Sequence, residues 1–389
     1  MAPVKRFREP APALRTYHRR VDVARFRDRV ATTVCEVRTG AEALEALDDQ
    51  GFWGVVVTFE GAVTAVRFAD VQRPAGADTL PGWSDLKGPW RTSLDADAYR
   101  AAVVEIRERI AAGEVYQANL CRVLEHDLDE TADLDGLDAV LRRGNPAPYA
   151  SRIRVDVAGL DVVSASPERF LHRSGERLVS APIKGTARTA EGLLPKDFAE
   201  NVMIVDLVRN DLSRVCHEGT VDVDSLCALE RHPGLVHLVS TVAGRLRPDV
   251  GWPQIMAATF PPGSVSGAPK SSALRTIRDL EAVARGPYCG AVGWVDADRD
   301  EAELAVGIRT FWAERTTDGR RVLRFGTGAG ITWGSDPDAE WAETELKAAR
   351  LVGLTGTRRA ARTTAPGSTP PAGPPPPRRP VVAAPRRPR

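Results

Sequence analysis

The chain has 389 residues, of which 43% are hydrophobic and 27% charged, so it can bury one large or two ordinary globular cores and is not a disordered protein. Its formal net charge of +1 excludes a dedicated nucleic-acid binder, because neutralising phosphates needs a concentrated basic face. Cys35, Cys121, Cys216, Cys227 and Cys289 form no C-x-x-C pair, which excludes a zinc knuckle or a disulfide framework. With no run of about 18 apolar residues and no apolar stretch behind the polar N-terminus, the sequence predicts a cytoplasmic protein with no membrane contact.

Residues 1–93 alternate in short pieces and are expected to form a β-rich segment packing on the main fold. The clearest pair, Gly54–Phe59 and Ala62–Phe68 around Glu60-Gly61, predicts a hairpin. From Asp95 the period changes to helical, with Tyr99, Val103, Ile106 and Ile110 on one face and Gly113 as the stop; a strand then starts across 113–120. Between 151 and 183 apolar alternation returns as an antiparallel meander that enters Pro182-Ile183-Lys184-Gly185-Thr186. A helix follows from Lys196 to about Arg214, with Phe198, Val202, Val205 and Leu212 as its expected buried stripe. Further helices are predicted at 269–285 and 337–352, with strands near 290–295, 304–311 and 321–326. After Gly353 the chain is Thr, Ala, Pro and Arg, so a disordered tail is expected over 356–389, leaving 94–355 as the catalytic domain. Strands and helices in this order indicate an α+β fold, not βαβ alternation.

Several clusters can carry chemistry. Lys184 stands in a Pro/Gly turn with the Thr186 hydroxyl and the Arg188 cation nearby; it is a nucleophile if burial or another cation keeps it neutral, and a solvated surface lysine otherwise. Asp197 and Glu200 share a face at one helix start, while Glu340, Glu343 and Lys347 follow the Asp336-Pro337 start of the last helix. Two facing carboxylate pairs would suit a hard cation, and each alone equally suits a solvated helix start. Glu168 opens a strand beside apolar neighbours, where a carboxyl becomes a proton donor or simply pairs with Arg169. His237 lies in an apolar run, either orienting a hydroxyl or satisfied in the core. Gly263–Ser271 lacks the Walker spacing, which excludes an ATPase, but its small residues at a helix start suit a carboxylate. Gly326–Ile331 reads as a second such loop, and Arg309, ending a strand, could fork a carboxylate.

In their order, the blocks Gly113–Leu120, Ser166–Phe170, Pro182–Thr186, Glu200–Asp211, His237–Thr241, Ser266–Lys270 and Gly328–Ile331 with Ser335–Pro337 resemble the chorismate-utilising enzymes, over about residues 94–352. Within that family they are most similar to the aminodeoxychorismate synthase component I branch. The resemblance implies two large antiparallel sheets packed together with helices outside, a Mg2+ cofactor, and chorismate as substrate. By motif it implies Glu200 and Glu343 as magnesium ligands with Asp197 and Glu340 close by. It implies Arg309, Lys347 and the backbones around Gly267, Ala268 and Gly328 as carboxylate-holding positions, with Thr186 and His237 also at the substrate. Glu168 matches the general acid at C4 and Lys184 the nucleophile at C2. Family members that add water at C2 carry a lysine where Gln117 stands, and anthranilate synthases usually have alanine where Lys184 stands. No cysteine sits in a Gly-x-Cys-x-Gly elbow, so ammonia is expected from a separate glutamine amidotransferase subunit. The alternatives are an anthranilate synthase component I that tolerates the lysine, or a non-catalytic paralogue that binds only chorismate or the amidotransferase.

Overall fold

A computed structural model describes residues 21–74, 81–232 and 235–356. The expectation for the Pro/Arg-rich tail falls outside these residues, apart from Gly356. Among the described residues eighteen strands form one hydrogen-bonded antiparallel ribbon. From one edge it runs through Asp222–His232, Leu235–Arg245, Arg177–Ala181, Arg169–Ser174, Glu301–Val306, Ala291–Asp296, Phe52–Val57, Val63–Gln72 and Val30–Thr39. It then crosses Val23–Arg25 into Tyr149–Val155, Leu160–Ser166, Thr310–Arg315, Arg321–Ile331 and Gln117–Asp127. The two expected sheets are the two halves of this ribbon, and the three-residue strand Val23–Arg25, paired on both sides, is their joint. Hydrogen bonds cross the boundary at residue 93, since Phe52–Val57 pairs with Ala291–Asp296.

Apolar alternation on the inward faces explains why the ribbon closes on itself. One buried cluster joins Val55, Val56 and Val292 of the first half to Val123, Ile153, Val162 and Trp312 of the second. Helices Pro195–Ser213 and Trp252–Thr259 close the same core through Ile204, Val205, Leu212 and Ile255. Leu134–Gly144 and Pro337–Leu354 cover Leu124, Phe311, Leu323 and Phe325. Ala96–Ala111 and Lys270–Leu280 cover Leu120, Ala329 and Ile331. The caps act as their sequences predict: Asp95 accepts from Ala98 N at 2.9 Å, Asp336 from Ala339 N at 2.9 Å, and Gly113 ends its helix at φ +77°.

Three local expectations need correction. The stretch 304–311 is two strands, Glu301–Val306 and Thr310–Arg315, broken where Arg309 takes φ +53°; apolar composition alone does not reveal that turn. Arg309 therefore sits between strands and does not end one. Gly326–Ile331 is no loop but the second half of Arg321–Ile331, paired throughout with Gln117–Asp127. The helix after Lys184 turns a different face inward: Asn201, Ile204, Val205, Val208 and Leu212 are buried, whereas Phe198 and Val202 are 41% and 42% exposed.

The joint is fastened electrostatically. Asp135, on Leu134–Gly144, meets Arg152 at 2.7 Å, Arg154 at 3.0 Å and Arg25 of the joining strand at 3.4 Å. Burial alone would raise its pKa, but the three guanidiniums outweigh it and hold the carboxyl below its ordinary range. Asp135→Ala leaves Arg152, which is fully buried, without this partner. Denaturant unfolding should show a loss of about 3 to 5 kcal/mol.

Candidate active site

Lys184 lies on the strand Ile183–Ala187, whose pairing with Leu235–Arg245 slips between Ile183 and Thr186. The expected turn is thus a bulge, which bends the strand and re-aims its side chains. Gly185 takes φ +87° there, and a Cβ on it would stand 2.8 Å from Asp197 Cβ and 2.9 Å from Leu238 Cδ1. Only glycine allows helix Pro195–Ser213 to approach this closely. Asn201, on that helix, pins the bulge by donating to Lys184 O at 3.3 Å and Leu238 O at 3.1 Å, while Ser240 donates back to its carbonyl.

The amine of Lys184 reaches toward Arg321–Ile331. Gly326, Gly328 and Gly330 recur at period two, so one face of that strand carries no side chains over five residues. A Cβ added at Gly330 would meet Gln117 Nε2, with Asn119 Oδ1 at 3.1 Å and Lys184 Nζ at 3.2 Å. Lys184 is half-buried, and burial is the largest influence on its amine. Burial lowers the pKa, Lys347 lowers it further, and Glu200, Glu168 and Glu343 pull the other way without overcoming burial.

Glu168 is 3% exposed. Burial lifts its carboxyl to about 7, against the opposing effects of the Ser264 hydroxyl, the Ile183 N–H and the Lys184 charge. Ser264 Oγ donates to Glu168 Oε1 at 2.6 Å, and Ser166 Oγ accepts from Glu168 N at 3.2 Å while donating to Val306 O at 2.6 Å. Behind it lies a narrow cavity of about 20 Å³, lined by Glu168, Ser180, Asp211, Thr259 and Ser264 among others, roomy enough for one water. A buried acid that titrates near neutrality, within electrostatic reach of a lysine whose pKa is lowered, has the chemistry needed for a proton donor and a nucleophile.

The helix Pro337–Leu354 faces this pair. Lys347 Nζ donates to Glu343 Oε1 at 2.7 Å and to Gly328 O at 3.1 Å. Burial would raise the Glu343 pKa, but Lys347, Lys196 and Lys184 together hold it below its ordinary value. Glu340 is raised, by burial above all, and accepts from Ser335 Oγ at 2.6 Å. Asp197 turns back to cap its own helix, its Oδ2 accepting from Leu194 N at 2.8 Å. Among the described residues no three His, Cys, Asp or Glu side chains converge as a cage. Glu200 and Glu343, both within electrostatic reach of Lys184, nonetheless make a donor set that fits magnesium, which takes one or two carboxylates and draws its other ligands from substrate and water.

Of the remaining predicted residues, Thr186 and His237 adjoin the Lys184 strand, and Gly267 and Ala268 adjoin Gln117. Thr186 Oγ1 and His237 Nδ1 are 2.7 Å apart across paired strands, His237 being 2% exposed. Gly267 and Ala268 pair with Ala118 and Gln117; a Cβ at Gly267 would strike Gln117 O, and its φ of +142° favours glycine. The guanidinium of Arg309 has no hydrogen-bond or ion-pair partner among the described residues. Burial, helped by the Arg350 charge, lowers its pKa. A half-buried cation without a counter-ion fits an anionic ligand. The sequence reading passed over Ser264 and Asn201 as functional side chains, although both lie in blocks it singled out.

Residues 72–353 match the family model for chorismate binding enzymes. The chain is 37% identical over 278 residues to an anthranilate synthase component 1 of Saccharolobus solfataricus, covering 68% of this chain and 64% of that protein. It is 39% identical over 286 residues to an aminodeoxychorismate synthase of Streptomyces griseus, covering 69% of this chain and 38% of that one. The match thus spans less than two thirds of these curated relatives. In fold it is similar to anthranilate synthase component I from Streptococcus pneumoniae, with a TM-score of 0.67 and 22% identity over 90% of this chain and 95% of that one. It is likewise similar to MenF, the menaquinone-specific isochorismate synthase of Escherichia coli, with a TM-score of 0.71 and 21% identity over 86% and 88%.

Two outcomes follow from the geometry. Glu168 takes up its proton near pH 7 in the fold and near 4.5 in a model peptide, so the native state binds the extra proton between these values and stability falls as pH rises through that window. In Glu168→Gln that slope disappears; between pH 4.5 and 7 the variant should gain about 3 kcal/mol on wild type in denaturant titrations. Gly330→Ala should fold and yet lose activity about a hundredfold, because its methyl displaces the Lys184 amine and Gln117.

Proposed function

The chain belongs to the chorismate-binding enzymes, and from that premise we propose that it aminates chorismate at C4, giving 4-amino-4-deoxychorismate through a covalent bond to Lys184. The observation that carries the reading is Lys184 itself, a half-buried lysine with lowered pKa within electrostatic reach of the buried acid Glu168. Replacing a hydroxyl by an amine with retention needs two displacements, and a lysine supplies the first nucleophile. The Lys184 lone pair forms a bond to C2, the ring double bonds shift, and the C4–O bond breaks as Glu168 delivers its proton, releasing water. Ammonia then bonds to C4, the double bonds shift back, and the C2–N bond breaks with its electron pair returning to Lys184. The new ammonium group returns one proton to Glu168.

Glu200 and Glu343 would hold a magnesium ion, with Asp197 and Glu340 nearby; when bound it supplies fixed positive charge for the ring carboxylate. Arg309, Lys347 and the backbones at Gly267, Ala268 and Gly328 would hold the substrate carboxylates, and the Thr186–His237 pair would orient the ring hydroxyl. Ammonia would come from a separate glutamine amidotransferase subunit. No helix among the described residues is long and apolar enough to cross a membrane, which is compatible with a cytoplasmic setting.

The second reading, anthranilate synthase component I, is supported by the names of several relatives. Wild type incubated with chorismate, magnesium and ammonium, followed by a lyase that aromatises 4-amino-4-deoxychorismate, should yield 4-aminobenzoate. Lys184→Ala should lose at least a hundredfold of that rate while still binding chorismate. Direct formation of anthranilate by wild type would replace the first reading by the second.

A further inference from the structure

The short turn Gly263–Val265 brings a hydroxyl against the buried acid, and the backbone of that turn is held from three sides. Asn119 Nδ2 donates to Ser264 O at 3.3 Å, Arg285 Nη1 to Val265 O at 3.0 Å, and Ser266 Oγ to Pro262 O at 3.0 Å. Ser264 is buried like Glu168, and its Oγ stands 2.6 Å from Glu168 Oε1. Among the described residues that oxygen is the only acceptor the hydroxyl has. The Glu168 backbone is fixed by other groups: its N–H donates to Ser166 Oγ at 3.2 Å, and its carbonyl accepts from Val306 N at 3.0 Å. The Ser264 hydroxyl therefore acts on the carboxyl alone.

A hydroxyl has one proton to give, and so has a protonated carboxyl. The Ser264 hydroxyl and the Ile183 N–H both donate to the Glu168 carboxyl, and among the described residues nothing accepts from it. A proton on Oε1 would turn the Ser264 hydroxyl away, and no other protein acceptor among the described residues would receive it. The acidic proton therefore belongs on Oε2. We propose that Ser264 is a positioning residue for proton delivery, its hydroxyl occupying Glu168 Oε1 so that the proton leaves from Oε2 toward the departing oxygen of the substrate. This rests on Glu168 being the acid of the proposed reaction. In that step the O–H bond at Oε2 breaks, the proton joins the C4 oxygen, which leaves as water, and Glu168 remains as a carboxylate. The Ser264 bond then ends on a charged oxygen. Hydrogen bonds to a charged acceptor are roughly twice as strong as neutral ones, so this bond strengthens while the C4–O bond breaks and not while substrate binds.

The test is steady-state kinetics of the full chain with chorismate, magnesium and ammonium, reading the rate from chorismate loss and the product by chromatography. Ser264→Ala should lower kcat about ten- to a hundredfold with the KM for chorismate within about threefold, as expected for one hydrogen bond to a group that becomes charged. Ser264→Thr, which keeps a hydroxyl, should recover most of that loss. Glu168→Gln has no acidic proton to deliver, so adding Ser264→Ala to it should cost less than about twofold more. Wild-type kcat in Ser264→Ala, or a loss confined to KM, overturns the proposal. So does Ser264→Thr no more active than Ser264→Ala, or an undiminished further loss in the Glu168→Gln background. The outcome is separable from the assignment of the reaction. A kcat loss that depends on Glu168, with anthranilate as product, keeps the positioning role and rejects C4 amination; unchanged Ser264→Ala kinetics with 4-amino-4-deoxychorismate as product does the reverse.

Discussion

An amine becomes a nucleophile near neutral pH only when its charged form is made costly, and the partial burial that lowers the Lys184 pKa is the constraint around which the rest of this structure is arranged. The bulge at 183–186 sends the side chain inward, Asn201 holds the backbone of that bulge, and Gly330 vacates the space the amine enters. Each device comes from a different element, so the amine's surroundings exist only when both halves of the ribbon have closed. That dependence explains why the site is so rich in backbone constraints. Gly185, Gly267 and Gly330 each stand where a Cβ would meet a neighbouring strand or helix.

Electrostatic balance follows from the same enclosure. Lys184, Lys347 and Lys196 act on a field that includes Glu343 and Glu340, and the Lys347–Glu343 pair is closed at 2.7 Å. Glu168 stands apart from these pairings, hydrogen-bonded by a hydroxyl and a backbone N–H but closed into no ion pair, which keeps its proton available near pH 7. Arg309 is half-buried without a counter-ion among the described residues. The region thus combines an acid that titrates near neutrality with a lysine of lowered pKa.

Much of this was legible in the sequence where the signal is local. Asp95 and Asp336 announce their helices, the apolar alternation between 151 and 183 announces the meander, and Glu168 and Lys184 emerge because their blocks occur in a recognisable order. What stayed hidden is non-local. The glycines of 326–330 read as a loop because glycine usually interrupts a strand, but here their period of two strips one face of a fully paired strand. Phe198 and Val202 read as a buried stripe because apolar spacing does not say which face meets a sheet; Asn201, a poor core residue by type, took that place by bonding two carbonyls. Arg309 hid in an apolar run because a single residue at φ +53° leaves no mark on the pattern. Likewise Ser264 acquires meaning only when the chain brings it against a carboxyl 96 positions away.

The central claim is a bond between Lys184 and the substrate ring. Rapid acid quench of the protein mixed with chorismate and magnesium in the absence of ammonia, followed by peptide mass spectrometry, tests it directly. The account predicts that the peptide containing Lys184 carries the mass of chorismate less one water, and that adding ammonium before the quench removes it. Turnover with ammonium but no such adduct at Lys184, or an adduct confined to another residue, would contradict it.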